Sequence, residues 1–162
     1  MIIKTPNGFV LGTRVVDTIT GFKGTIIGLA EYINGIWQVL VKSPNLKDGE
    51  PLKGHWFEEP QLTELSGEIN GVQSVVPKFA LGQVLKCTVL PISGIVHSIT
   101  YWLHGCVRYE LLLDRLDREG KPVYEAFDEF YLEAKKAEPI LLPKQKSGGP
   151  ERNQSSVSSS RN

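Results

Sequence analysis

The sequence predicts a mainly β protein made of two tandem small β-barrels, related by an internal repeat and followed by a disordered tail. Three observations lead to this prediction. Residues 9–65 resemble residues 79–134 at an offset of about 70 positions. Short runs of β-branched and aromatic residues alternate with Gly-containing turns in both copies. From residue 143 onward the chain is polar and Ser-rich, so it cannot bury enough apolar surface to offset its ordering entropy.

The internal repeat keeps its register from one end of the unit to the other. Residues 9–12 recur as residues 79–82, and residues 56–59 lie over residues 126–129. Matches that stay in order at nearly one offset indicate two copies of one structural unit. The predicted organisation is a first unit at 9–65, a linker at 66–78, a second unit at 79–137 and a disordered tail at 143–162.

The elements of the first unit follow in order from its turn signals and β-branched runs. Gly21 and Gly24 mark a turn after the first strand, because glycine adopts positive φ without a steric penalty. Asn34-Gly35 predicts a two-residue hairpin. The predicted strands are 14–17, 25–32, 37–41, 55–57 and 61–65, with a polar loop at 47–50.

The second unit repeats this scheme with different turn residues. Its predicted segments are an opening strand at 82–87, a long strand at 94–101, a turn at 103–105, a return strand at 106–113, a polar loop at 117–121 and a closing region at 125–132. Residues 128–137 also favour a short helix ended by Pro139, since Glu, Ala, Leu and Lys are good helix formers.

Five short strands in about 55 residues, with a Gly turn after the first, resemble the SH3-like barrel class that includes KOW and Tudor domains. The resemblance is one of architecture and covers residues 9–65 and 79–134. It implies two small barrels that work by binding.

A more specific resemblance concerns small uncharacterised proteins common in tailed-phage genomes. Their pattern is a D-x-x-T-G-F-x-G stretch, a Y-x-x-G-C hairpin, a K-D-G loop and a W-F-D-E ending. The first unit matches it at residues 17–24, 32–35, 47–49 and 56–59, but has Ile36 where the family often has Cys. The second unit departs from the opening stretch at residues 90–94. It keeps Tyr101, Gly105, Cys106, Arg108, Tyr109 and residues 127–129. The resemblance implies a phage origin, without a reaction that can be carried over.

Charge and composition exclude or disfavour several classes of protein function. The chain has 18 basic and 18 acidic side chains, and acidic residues slightly exceed basic ones in both units. Coating a phosphate backbone needs clustered Lys and Arg, so nucleic-acid binding is disfavoured. The chain has no apolar run of roughly 18 residues that could span a membrane, and its start lacks the pattern of a signal peptide. Two Cys make no disulfide framework. We expect the host cytoplasm or the virion as its location.

The sequence lacks the patterns of a catalytic or metal site. Its three His residues lie outside any nucleophile motif, and the spacing of Cys87, His97, His104 and Cys106 is not that of metal ligands. The acid pairs 58–59 and 128–129 recur at equivalent positions before the last strand of each unit. We expect these acids to accept backbone N–H groups there. The sequence therefore predicts no enzymatic activity, no metal and no cofactor.

Aromatic residues are the best candidates for a binding site. Small barrels bind peptides, methylated ammonium groups or nucleobases through aromatic side chains at loop mouths, whereas about half of such residues fill the core. The candidate residues are Tyr32, Trp37 and Trp56 in the first unit, and Trp102, Arg108 and Tyr109 in the second.

The leading functional hypothesis is a non-enzymatic phage-type binding protein that acts through a protein partner or self-association. It would be a virion or assembly component, or an accessory factor. One alternative is a counter-defence protein that sequesters a small nucleotide signal, for which Arg108 and Tyr109 are the compact candidates. A second alternative is a nucleic-acid-binding accessory protein.

Overall fold

The computed structural model describes residues 1–65 and 74–136, which form a mainly β structure. Residues 66–73 of the predicted linker, the end of the predicted second unit at Ala137, and the predicted tail at 143–162 lie outside the described residues. In the described part of the chain, the only helical segments are two 3₁₀ turns of three residues each. Neither of them is long and apolar enough to cross a membrane.

The strands of the two repeats begin at equivalent positions. The first repeat contains β1 (Arg14–Asp17), β2 (Lys23–Tyr32), β3 (Trp37–Lys42), β4 (Leu46–Lys47), β5 (Glu50–Pro51), β6 (His55–Glu58), a 3₁₀ turn (Glu59–Gln61) and β7 (Leu62–Glu64). The second contains β8 (Val84–Cys87), β9 (Ser93–Trp102), β10 (Val107–Leu116), β11 (Pro122–Asp128), a 3₁₀ turn (Glu129–Tyr131) and β12 (Leu132–Ala134). Strands β1, β2, β3 and β7 thus start 70 residues before β8, β9, β10 and β12.

Both repeats have the same strand pairing. The order is β6-β3-β2-β1-β7 in the first and β11-β10-β9-β8-β12 in the second, with every pair antiparallel. An antiparallel β2–β9 ladder joins the two repeats into one ten-stranded sheet, while β4 and β5 form a separate hairpin. Among the described strands, β6 does not pair with β7, nor β11 with β12. The hydrogen-bond ladders therefore do not close either repeat into a barrel.

A single apolar core runs through both repeats. Ten of its fully buried members occupy matching positions: Val15, Ile26, Leu29, Val39 and Val41 in the first repeat, and Leu85, Val96, Ile99, Tyr109 and Leu111 in the second. A repeat of this length is near the lower limit for a stable core of its own. Burying both sets together gives the chain one larger core.

The hairpin turn of the first repeat differs in type from the prediction. Gly35 N–H donates to Tyr32 O and Tyr32 N–H donates to Ile36 O, so the loop has three residues and ends on Gly35 at φ +85°. This geometry is a turn followed by a left-handed glycine, and the predicted two-residue hairpin at Asn34-Gly35 is wrong. The two-residue turn with two positive φ angles occurs instead at Asp48 (+52°) and Gly49 (+79°).

The described part of the predicted short helix, residues 128–136, is not helical beyond one 3₁₀ turn. Glu129–Tyr131 make a single 3₁₀ turn, after which Leu132–Ala134 pair with β8 as strand β12. Leu132 is buried in the core at the start of this strand. Pairing with β8 and burial of Leu132 outweigh local helix propensity, which is worth only tenths of a kcal/mol per residue.

Gly24 and Gly94 mark a close approach of neighbouring backbones. A Cβ atom at Gly24 would lie 2.4 Å from the carbonyl oxygen of Lys42, and one at Gly94 would lie 2.4 Å from that of Leu112. Both contacts are too short for any side chain. The recurrence of glycine at these two positions therefore has a steric cause.

Candidate functional site

The two repeats meet along a ladder that is symmetric about its centre. Its register is Gly28–Trp102, Leu29–Tyr101, Ala30–Thr100, Glu31–Ile99 and Tyr32–Ser98. Ala30 and Thr100 are equivalent positions of the repeat and lie opposite each other, and every other pair has an equivalent pair on the far side of this centre. The repeats are thus related by an approximate twofold axis, as in an isologous dimer.

Four of the six predicted site residues share the outer face of this sheet. Opposite residues of an antiparallel pair lie on the same face, and alternate residues of a strand do too. Trp56, on β6, lies in one row with Trp102, through Leu40 and Gly28. Tyr32 follows Gly28 at an even spacing, and Arg108 lies opposite Thr100.

The polar groups of this outer face bond mainly to one another. The Tyr32 hydroxyl donates to Gln38 Oε1 at 3.1 Å, and Arg108 Nε donates to Asp128 Oδ1 at 2.9 Å. Burial, with the nearby carboxylates Glu110 and Glu58, raises the pKa of Tyr32. The phenol therefore remains a hydrogen-bond donor at neutral pH. Arg108 is an exposed cation that already has a carboxylate partner.

The other two predicted residues, Trp37 and Tyr109, lie on the core face. Tyr109 is fully buried, and its hydroxyl donates to Glu129 Oε2 at 2.7 Å and accepts Phe79 N–H at 3.3 Å. Burial and then the Glu129 contact raise the pKa of Tyr109. Arg108 and Tyr109 are consecutive on β10, so they point to opposite faces and form no common site.

A small hollow of about 270 Å³ lies beside the outer face, lined by Trp102, His104, Cys106, Arg108 and Asp128. The Trp102 and His104 rings lie 6.1 Å apart. Cys106 is exposed, whereas Cys87 is buried in the core. Within residues 1–65 and 74–136, no three His, Cys, Asp or Glu side chains are grouped so that they could hold a metal ion.

A patch of exposed apolar side chains lies at one end of the second repeat. We call Val89, Leu90, Phe130 and Tyr131 the apolar patch. Phe130 is 84% exposed, and its ring meets that of Tyr131 edge to face at 5.3 Å. The two halves of the patch are joined through Thr88, whose N–H and hydroxyl both donate to Tyr131 O.

A larger cavity, the inter-unit cleft, lies on the core side where β2 meets β9. Its volume is about 860 Å³, within the range of small-molecule sites. Ile3, Trp37, Phe79, Leu81 and Ile99 provide apolar walls. Its polar groups are Lys4, Glu31, Lys78, Gln83 and Tyr101.

Sequence reasoning singled out neither the apolar patch nor Glu31. A signal for both was present in the repeat itself, at positions where one copy departs from the other. Phe130 and Tyr131 stand where the first repeat has Pro60 and Gln61, and Glu31 stands where the second repeat has Tyr101.

Comparisons with models of known protein families, with curated proteins and with solved structures gave no match.

Proposed function

We propose that the protein is a non-enzymatic binding protein that uses the apolar patch of its second repeat to dock on another polypeptide, either a different protein or a further copy of this chain. The exposure of this patch is the observation that supports the proposal. Phe130 and Val89 are 84% and 67% exposed, beside the part-exposed Leu90 and Tyr131. Clustered apolar side chains of this kind mark protein–protein contacts more often than scattered ones. Burying one Phe side chain against a partner contributes about 2 kcal/mol.

The matching end of the first repeat lacks such a cluster. Ile19 takes the place of Val89 and is 73% exposed, but its neighbours are the polar or small residues Thr20, Pro60 and Gln61. The same backbone contact, Thr18 to Gln61 O, supports this turn. The two ends have the same backbone contacts but different side chains. Only the end of the second repeat therefore has the apolar surface that a docking role needs.

The strand order supports a further proposal on architecture, that each repeat is an open SH3-like barrel, in which β6 and β7, or β11 and β12, are not hydrogen-bonded to each other. The last strand of each repeat, β7 or β12, returns to pair with the first, β1 or β8. The preceding strands of the large sheet form a meander, β1-β2-β3-β6 in the first repeat and β8-β9-β10-β11 in the second. Together with the resemblance to tailed-phage proteins, this architecture favours a virion or assembly component or an accessory factor in the host cell.

The other two hypotheses have less support from these residues. A nucleotide site built on Arg108 and Tyr109 would need both side chains on one surface, yet Tyr109 is buried and Asp128 pairs with Arg108. Nucleic-acid binding would need uncompensated cations. The β10–β11 hairpin carries Arg115 and Arg118, but Asp114, Asp117 and Glu119 lie beside them in the chain.

The test is a comparison of three full-length proteins: the wild type, Phe130→Ser, and the control Ile19→Ser. Each is immobilised and exposed to a lysate of the cells that naturally make the protein. Sedimentation of each purified protein reports self-association. We expect one partner, or one homo-oligomer, to be retained by the wild type and Ile19→Ser and lost with Phe130→Ser. Equal retention by all three proteins, or no partner and no oligomer at all, would overturn the proposal.

A further inference from the structure

The inter-unit cleft contains a carboxylate held in a fixed position. Glu31 Oε1 accepts the Tyr101 hydroxyl at 2.6 Å, and Tyr101 is almost fully buried. Burial, and then this hydrogen bond, raise the pKa of Tyr101 far above its ordinary value, so the phenol stays protonated and keeps donating. Among the described residues, Glu31 makes no ion pair. The carboxylate therefore keeps acceptor capacity for a ligand.

The cleft is lined at two positions where the repeats differ. Glu31 and Trp37 of the first repeat correspond to Tyr101 and Val107 of the second. Tyr101 and Val107 are buried as parts of the core, whereas Glu31 and Trp37 are only partly buried and line the cleft. Two positions that serve core packing in the second repeat thus carry a charged and an aromatic side chain in the first.

The chemistry of the cleft defines its ligand. Trp37 and Phe79 offer aromatic surfaces on which a planar base can stack. Lys4 and Lys78 supply two cations against the single acid Glu31, and Lys78 is held only loosely, 3.8 Å from Glu129. This combination fits a planar molecule with N–H donors at one end and a negative charge at the other.

We propose that the inter-unit cleft binds a free guanine nucleotide, with the base recognised by Glu31. A carboxylate has only acceptors. The Watson–Crick edge of guanine presents two adjacent N–H donors, at N1 and N2, that both oxygens of one carboxylate can accept. Adenine presents one donor beside an acceptor, so it satisfies Glu31 less well. The phosphate is placed near Lys4 and Lys78. This site is independent of the apolar patch.

The experiment is titration of the full chain with guanosine monophosphate and adenosine monophosphate, followed by calorimetry and tryptophan fluorescence. We expect one saturable site per chain, with guanosine monophosphate bound at least tenfold more tightly. Glu31→Gln keeps the size of the side chain and an acceptor for Tyr101 but adds an amide donor. It should remove this preference, while Lys78→Ala should weaken both nucleotides alike. Phe130→Ser should change neither affinity.

Three results would overturn the proposal. The first is the absence of saturable binding of guanosine monophosphate to the wild type, which needs no variant to interpret. The second is equal affinity for the two nucleotides, or a preference that Glu31→Gln leaves intact. The third is tighter binding of a short guanine-containing RNA than of the free nucleotide, which would exclude a free nucleotide as the ligand. A thermal melt of Glu31→Gln identifies a loss of binding that is due to unfolding.

Discussion

Glu59 and Glu129 each fasten the segment that leads into their own repeat. Glu59 Oε1 accepts Asn7 N–H at 2.8 Å, and Glu129 Oε2 accepts Lys78 N–H at 3.0 Å. The prediction that the acid pairs accept backbone N–H groups is confirmed for Glu59 and Glu129. It is wrong for Glu58 and Asp128, which accept side-chain donors of Gln38 and Arg108. The Glu59 and Glu129 carboxylates position Phe9 and Phe79 at the two ends of the core, because the bonded amides lie one or two residues before these rings.

Removing the Tyr109 hydroxyl should weaken this anchor in the second repeat. Tyr109→Phe leaves the Glu129 carboxylate without its shortest hydrogen bond, and bonds to charged groups are worth about 1.5–3 kcal/mol. We expect the free energy of unfolding in urea to fall by about this amount. Tyr124→Phe, at an exposed position of β11, is the control and should have little effect. An equal loss in both variants would refute this role for Tyr109.

Asp17, the acidic residue of the D-x-x-T stretch, holds the turn that follows β1. Its carboxylate accepts the Thr20 hydroxyl, the Thr20 N–H at 3.0 Å and the Ile19 N–H at 3.3 Å. The bond from the Thr20 hydroxyl is the main cause that lowers the pKa of Asp17 below 3.8, although burial opposes it.

This shift in pKa predicts an acid dependence of stability. A lowered pKa in the folded state stabilises the protein above the ordinary Asp value of 3.8, and the contribution is lost as pH falls through the folded-state pKa below it. The melting temperature of Asp17→Asn should therefore fall less steeply than that of the wild type on acidification below this value. The exposed Asp114→Asn controls for general charge effects. Parallel curves for the wild type and Asp17→Asn would contradict this account.

At the scale of elements, the β2–β9 ladder makes one sheet of two repeats, and its register can be tested directly. Ile33 N–H donates to His97 O and Leu103 N–H donates to Ile27 O. Hydrogen-bonded pairs alternate along an antiparallel ladder, so Ala30 and Thr100 form a non-hydrogen-bonded pair with Cα atoms about 4.5 Å apart. That distance is within the range that a disulfide can bridge.

Ala30→Cys with Thr100→Cys should therefore oxidise to an intramolecular disulfide, measured by intact mass and thiol counting. The exposed Cys106 is replaced by Ser in all variants to avoid exchange. Ala30→Cys with Ala126→Cys is the control, because β9 and β10 separate these two strands. If the variant with Ala30→Cys and Thr100→Cys keeps both thiols free under oxidising conditions, the ladder has another register.

The strands were predictable from the sequence because turn glycines and β-branched runs recur at one offset. Which side chains lie on the same face of the sheet was harder to predict. Bulges at Ile27 and His97 break the alternation of β2 and β9 at equivalent positions, which shifts the face of every later residue. The divergence of the repeats at Phe130 and Tyr131 was visible in the sequence, but the proximity of these residues to Val89 and Leu90 was not, because it depends on the contact between Thr88 and the distant Tyr131. By contrast, strand alternation alone separates Arg108 from Tyr109, and the hypothesis that grouped them ignored it.

At the scale of the whole molecule, two similar repeats build a common core and differ at the residues proposed to bind a ligand or a partner. The shared positions, such as Val15 and Leu85, are apolar and buried in both copies. The divergent ones are Phe130 at the outer end of the second repeat and Glu31 at the junction. Duplication with later divergence explains how two repeats that share one core come to carry Phe130 and Glu31 where the other repeat has Pro60 and Tyr101.

The most direct test of protein docking is native mass spectrometry of the full chain recovered from its natural source. Our account predicts the mass of a complex with another polypeptide or with further copies of the chain. In Phe130→Ser prepared in the same way, that complex should be absent. A bare single-chain mass for the wild type, or the same complex in the wild type and in Phe130→Ser, would contradict it.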